Sequence, residues 1–361
     1  MNATATSTRK ARTTSPPGLP GQVVLVLQGG GALGAYQVGV YEALHDAGIE
    51  PDWVIGTSIG AINAALIAGN PPDQRMGRLN AFWEHVEQPA TTAGPLDWLG
   101  MGNWVANMTT VMRGIPAFFE PSTAALRGVR ANVGVESAAY YSTDPLRETL
   151  AELVDFDSLQ AGPTRLTVGA VNACTGAMRY FDSQYEALCV EHVMASGALP
   201  PAFPAVRIDG EPYWDGGFLA NPPLWPLFYD DTPDDILLVS LNPFVREETP
   251  KTPGEIMDRL NEITFNAALA SELRAIGFVR KLLDEGLLKD NARGRYRRML
   301  MHAITADKAL ADLSLGSKFD TEWSFLIDLR ERGHKAADDW LGHCLTQVGV
   351  SSSFDLKDGF P

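Results

Sequence analysis

Residues 23–70 read VVLVLQGGGALGAYQVGVYEALHDAGIEPDWVIGTSIGAINAALIAGN, and the order of elements in this stretch decides the fold class. Val23–Leu27 is a short unbroken apolar run, rich in β-branched valine and closed by glycines, as expected of a strand covered on both faces. From Ala32 to Ala47, apolar residues return at Leu33, Tyr36, Val40, Tyr41 and Leu44. Those steps of three and four place them on one side of a helix, which Gly48 then closes. A second strand is predicted at Trp53–Ile55. It runs into Gly56-Thr57-Ser58-Ile59-Gly60 and a helix of small residues ending at Gly69-Asn70-Pro71. Strand, glycine turn, helix, strand, sharp turn, helix is the opening of an α/β fold with a parallel sheet.

Outward from this core, strands are expected at Leu166–Val171, Met178–Phe181 and Ile236–Leu241, the first and last of them central. MLMHAITAD (299–307) reads as one more strand, and helices are expected near 255–287 and 322–346. Between about 90 and 135 the chain turns rich in Met and Trp. Trp104, Met108, Val111, Met112 and Ile115 would share a helical face there. That insert, from about 96 to 119, suits an acyl channel or a bilayer contact, and equally plain core or an oligomer interface. NARGRYRR (291–298) is a local basic cluster, either a solvated face or a contact for lipid phosphates. The first twenty residues lack an apolar stretch of the secretory kind and read as a disordered tail or a transit peptide.

Two motifs carry chemistry. Gly29, Gly30, Gly31 and Gly34 lie between a strand and a helix, where glycines let backbone N–H groups converge on an anion. The spacing fits both a dinucleotide pyrophosphate and the oxyanion of a tetrahedral ester-hydrolysis intermediate. Gly56-x-Ser58-x-Gly60 then arbitrates. It sits after a strand and before a helix, the setting in which a serine hydroxyl is thrust out of a strained turn. A dinucleotide site would carry its ribose-binding acid at the end of the second strand, but Glu50 and Asp52 come before that strand.

The serine needs a base. Of six histidines, His302, His334 and His343 follow in the order a Ser–acid–His triad requires. His334 and His343 fall on a charged helix, which leaves His302 as the best histidine candidate. Asp215, in Tyr213-Trp214-Asp215-Gly216-Gly217, is the better base. It follows a short strand, and Gly216 and Gly217 let another backbone approach closely; the bland reading is an Asp-Gly hairpin turn.

The net charge is −15, which excludes a phosphate-tracking nucleic-acid binder and tight electrostatic docking on anionic membranes. Three widely spaced cysteines, Cys174, Cys189 and Cys344, form neither a disulfide framework nor a zinc site. They suit a reducing, cytoplasmic setting, with the protein soluble or peripheral at a membrane.

These residues resemble the patatin-like phospholipases. The glycine loop, the GxSxG serine, the aspartate of DGG, Ala195–Pro200 with Phe203-Pro204, and Asn221-Pro222 occur in the family's order, over roughly residues 23–245. The resemblance implies a three-layer α/β/α patatin-like fold with a mostly parallel central sheet. Residues 21–245 would be the catalytic domain, and 246–361 a mostly helical C-terminal extension of the kind one bacterial subgroup carries. It implies a serine acyl-ester hydrolase without cofactor or metal, acting on a lipid or other acyl ester, with transient contact at a membrane surface. Ser58 and Asp215 would form a dyad. Gly29, Gly30 and Gly31 would form the oxyanion hole, with the N–H groups of Gly30 and Gly31 as donors. Many bacterial members carry Arg or Lys just before the loop's last glycine. Leu33 stands there in this chain, which favours a neutral ester, and a polyester or simple carboxylester stays open as the substrate. So does a catalytically idle lipid-binding module.

Overall fold

The computed structural model describes residues 22–88, 114–123, 132–228, 235–287, 298–354 and 356. Its strands are β1 (Val23–Leu27), β2 (Trp53–Gly56), β3 (Glu120–Pro121), β4 (Tyr141–Ser142), β5 (Arg165–Asn172), β6 (Met178–Asp182), β7 (Val206–Ile208), β8 (Glu211–Asp215), β9 (Asp235–Ser240) and β10 (Leu300–Thr305). The helices are α1 (Ala35–Asp46), α2 (Ile59–Ala68), α3 (Pro72–His85), α4 (Asp144–Leu153), α5 (Phe156–Ala161), α6 (Val190–Ser196), α7 (Pro253–Asp284) and α8 (Trp323–Cys344).

Eight strands form one sheet in the order β10-β9-β1-β2-β5-β8-β7, with β6 also paired to β5. β10, β9, β1, β2 and β5 run parallel, while β6, β7 and β8 are antiparallel to their neighbours. The parallel strands are buried at nearly every position because the sheet is covered twice. Leu25, Leu27, Leu237 and Val239 belong to one core with α1, α2 and α8. Val24, Val26, Ile236 and Leu238 belong to a second core with Leu269, Leu273 and Ile276 of α7. Successive side chains on a strand point to opposite faces, so each parallel strand feeds both layers. The result is the expected α/β architecture.

Residues of the expected C-terminal extension share these cores. β10 lies beside β9 in register, and α8 crosses α1 in direct backbone contact. A Cβ on Gly39 would come 1.9 Å from the Arg330 carbonyl oxygen, and one on Gly333 2.0 Å from that of Tyr36. Arg330 clamps the crossing through Glu42, at 2.8 and 2.5 Å.

Most of the 96–119 insert and of the 291–298 cluster lies outside the described residues. The helical face expected to include Ile115 does not extend to it: Ile115 bridges Phe119 across a tight turn. Among the described residues no helix is long and apolar enough to cross a membrane. All three cysteines are free thiols.

Candidate active site

The site lies where the parallel strands end, the edge at which α/β sheets bind ligands. β1 runs into the glycine loop and β2 into Ser58. Ser58 has φ 56° and ψ −128°, a left-handed backbone that a side chain adopts only when its surroundings force it. The forcing is visible at the flanking glycines. A Cβ on Gly56 would meet the Gly60 carbonyl oxygen at 2.3 Å, and one on Gly60 would meet that of Leu27 at 2.3 Å. The Ser58 N–H is fastened to the carbonyl oxygen and Oγ of Ser196, both at 3.2 Å. The serine caps the N-terminus of α2, whose partial positive charge faces the hydroxyl.

Asp215 closes β8, an antiparallel strand that pairs with the C-terminal end of β5. It is 3% exposed, its carboxylate accepts from the Gly217 N–H at 2.7 Å, and it lines the same cavity as Ser58. Burial pushes its carboxyl up to about 7, while the Gly217 N–H and the nearby Ser58 hydroxyl pull the other way. Gly216 packs against the Gly169 carbonyl, and Gly217 faces the Asp215 side chain and Phe265. Two chain segments far apart in sequence therefore meet in one cavity.

The three loop glycines play different parts. Gly29 offers no free donor: its N–H is held by Asn221 Oδ1 at 2.6 Å, so of the three glycines expected to form the oxyanion hole it supports the loop and leaves donation to Gly30 and Gly31. The N–H groups of Gly30 and Gly31 have no acceptor among the described residues, and both glycines line the cavity beside Ser58. Gly31 has φ 61°, and a Cβ there would lie 2.4 Å from the Lys318 carbonyl oxygen. Gly34 packs on Ile59 and Trp83.

Behind the loop is a buried amide network with little signal in the sequence. Gln28 Oε1 accepts from the N–H groups of Leu241 and Asn242, at 2.6 and 2.9 Å. Gln28 Nε2 donates to the Asn221 carbonyl at 3.1 Å and to Asn266 Oδ1 at 3.0 Å. Asn242 Nδ2 reaches the Gly29 carbonyl at 3.3 Å. The loop is thus held by residues of β9's end and α7, so its position depends on the C-terminal part of the chain.

The cavity over Ser58 has a volume of about 140 Å³ and mostly apolar walls. Phe118 and Phe119 come from the turn at the end of the insert and pack, with tilted rings, on Phe203, at ring centroid distances of 6.0 and 5.2 Å. Among the described residues lining it, only Asp215 and Lys318 carry charge, and none is a histidine. His302 is buried on β10, where its ring nitrogens meet Asp235 Oδ1 at 2.9 Å and Ser353 Oγ at 2.8 Å. That is a packing role away from the serine. His334 and His343 lie on α8, bonded to Asp338 and to the Asp339 carbonyl. No metal-ligating cluster exists among the described residues.

The patatin-like phospholipase family model matches residues 25–228. Lysophospholipase nte1 of Aspergillus terreus is 48% identical over 69 residues, which cover 17% of this chain and 4% of that protein. Patatin-like phospholipase domain-containing protein 7 of Rattus norvegicus is 54% identical over 46 residues, 13% of this chain and 3% of that protein. This chain thus matches only a small part of much longer relatives. Among solved structures, VipD from Legionella pneumophila is similar at 16% identity and a TM-score of 0.39, covering 93% of this chain and 71% of that one.

Proposed function

The chain belongs to the patatin-like phospholipase family, and on that premise we propose that it is a serine hydrolase of lipid acyl esters, working through Ser58 and Asp215. The observation that carries the reading is that the strained Ser58 and the buried carboxylate of Asp215 line one apolar cavity, beside two backbone N–H groups left open.

Each step follows from that arrangement. Ser58 Oγ attacks the ester carbonyl carbon and gives its proton to Asp215. A carboxyl near neutrality is a far better base than an ordinary aspartate. The carbonyl electron pair moves onto oxygen, where the N–H groups of Gly30 and Gly31 receive it. A donor of this kind is typically worth about 100-fold or more in rate. Collapse of the tetrahedral intermediate breaks the bond to the alcohol, which leaves with the proton from Asp215, and Ser58 holds the acyl group. Water then gives a proton to Asp215 and attacks the acyl carbon. Collapse returns that proton to Ser58 and releases the fatty acid. The apolar walls take the acyl chain and exclude water around the developing charge.

The test is fluorophosphonate labelling with hydrolysis of p-nitrophenyl acyl esters of graded length. Wild type should label and turn over, and both Ser58→Ala and Asp215→Ala should lose turnover. Labelling that persists in Ser58→Ala would refute the nucleophile assignment. An idle binding module would bind lipid without labelling at all.

A further inference from the structure

The Gly29 carbonyl and the Gly30 N–H belong to one trans peptide unit, which is planar and points them in opposite directions. Whatever holds that carbonyl therefore aims the N–H proposed to receive the oxyanion. Two side-chain amides hold it: Asn221 Nδ2 at 3.4 Å and Asn242 Nδ2 at 3.3 Å. Asn221 is set by Gly29 itself, whose N–H donates to its Oδ1. The orientation of Asn242 comes from elsewhere. Its Oδ1 accepts from the Lys318 ammonium at 2.8 Å. An ammonium has donors and no acceptor, so it takes the oxygen of the amide and leaves the nitrogen to face Gly29.

The Lys318 Nζ also donates to Asn261 Oδ1 at 2.7 Å and lies 4.6 Å from the Phe265 ring centroid. These partners are neutral. Glu262 and Asp258 act on the ammonium through space, and Glu262 is engaged by Arg246 and Arg259. Burial lowers the lysine pKa to about 8, so the charge is kept at neutral pH at some cost. A lysine kept only for packing would extend its charge into water or pair it with an acid. The same residue meets the loop a second time, because its carbonyl oxygen abuts Gly31. Side chain and backbone of Lys318 thus bear on the loop at either side of Gly30.

We propose that Lys318 is a positioning residue of the oxyanion hole: through Asn242 it fixes the plane of the Gly29–Gly30 peptide, and through its own carbonyl it backs Gly31. This rests on the hydrolase reading of Ser58. Asn242 and Asn261 line a small cleft distinct from the cavity over Ser58, so the ammonium acts on the loop and not on the substrate. Donors held in place before the reaction need no rearrangement when charge develops on the carbonyl oxygen. The segment just before α8 thereby governs the rate of a site whose serine and aspartate lie far earlier in the chain.

The experiment measures steady-state hydrolysis of p-nitrophenyl acyl esters, with active sites counted by fluorophosphonate labelling. Asn242→Asp keeps the shape of the side chain and gives the ammonium an acid, but offers no N–H to the Gly29 carbonyl. A merely structural lysine would be served as well by that acid, and kcat would stay at the wild-type level. The positioning role predicts instead that kcat falls about tenfold or more, with KM within about twofold, since a fully lost donor costs about 100-fold. Lys318→Met should cost a similar factor in wild type and almost nothing in an Asn242→Ala background, because both act through one amide. Wild-type kcat in Asn242→Asp overturns the proposal, and so does an equal cost of Lys318→Met in both backgrounds. If Lys318→Met does not fold, Lys318→Gln takes its place with the same expectation, since its amide accepts as readily as it donates. Wild type that neither labels nor turns over defeats the hydrolase reading and this proposal with it; an active wild type beside an unaffected Asn242→Asp defeats this proposal alone.

Discussion

Replacing Asp215 with asparagine should make the protein more stable, relative to wild type, as pH rises and, at the same time, inactive. The carboxyl titrates at 3.8 in an unfolded chain and at about 7 in the folded one, because it is buried. Below pH ~4 it is protonated in both states and has no effect on the balance. Between about 4 and 7 only the folded chain holds the proton, so this group's contribution to stability falls as pH rises toward the folded pKa. Above about 7 the loss is complete, and the gap corresponds to on the order of 4 kcal/mol. The asparagine side chain carries no charge, so the variant escapes that loss, although its amide N–H groups add a pH-independent cost. The quantity to measure is the stability of variant minus wild type, from urea titrations at intervals between pH 4.5 and 8.5. It should climb steadily up to about pH 7 and then level off. Glu272, also pushed up to about 7 by burial, is present in both proteins and cancels in the difference. In parallel, wild-type kcat/KM should rise about tenfold from pH 6 to pH 8 as the base loses its proton. A stability difference that stays flat from pH 4.5 to 8.5 would refute the claim that a buried, charge-strained carboxylate is the base.

Ser58→Gly should abolish turnover yet raise stability by about 1 kcal/mol, since glycine relieves the φ of 56°; a destabilised variant would mean that the backbone there is not strained. Asn221→Ala removes the acceptor of the Gly29 N–H and should cost about 1–3 kcal/mol. It should also lower kcat more than it changes KM, as steady-state kinetics on the folded variant will report. His302→Ala breaks a buried pair with Asp235, and a loss of about 3 kcal/mol is expected in denaturant titrations. The active fraction, counted by fluorophosphonate labelling, should keep wild-type kcat; loss of kcat with folding intact would restore the histidine triad.

Local rules reached far into this molecule. The run Val23–Leu27, the helix spacing after Ala32, and the glycines around Ser58 each encode a backbone conformation within a few residues, so strands, helices and the serine turn were legible. The C-terminal strand at 300–305 and both long helices were legible for the same reason. The face assigned to Ile115 failed because apolar spacing fits a helix and an aromatic turn equally well when few turn residues intervene. What holds the Gly29 N–H was not legible, because its acceptor, Asn221, is brought from far along the chain.

By itself, then, the sequence determined which segments turn, which extend, and which hydroxyl and carboxylate can carry chemistry, because those properties reside in short-range sterics and in residue type. Tertiary structure alone decided that burial pushes the Asp215 carboxyl up to about 7 and that Gly30 and Gly31 keep their N–H groups open. Burial, hydrogen-bond satisfaction and local dielectric are set by whatever the rest of the chain packs around a group, and no local pattern records them.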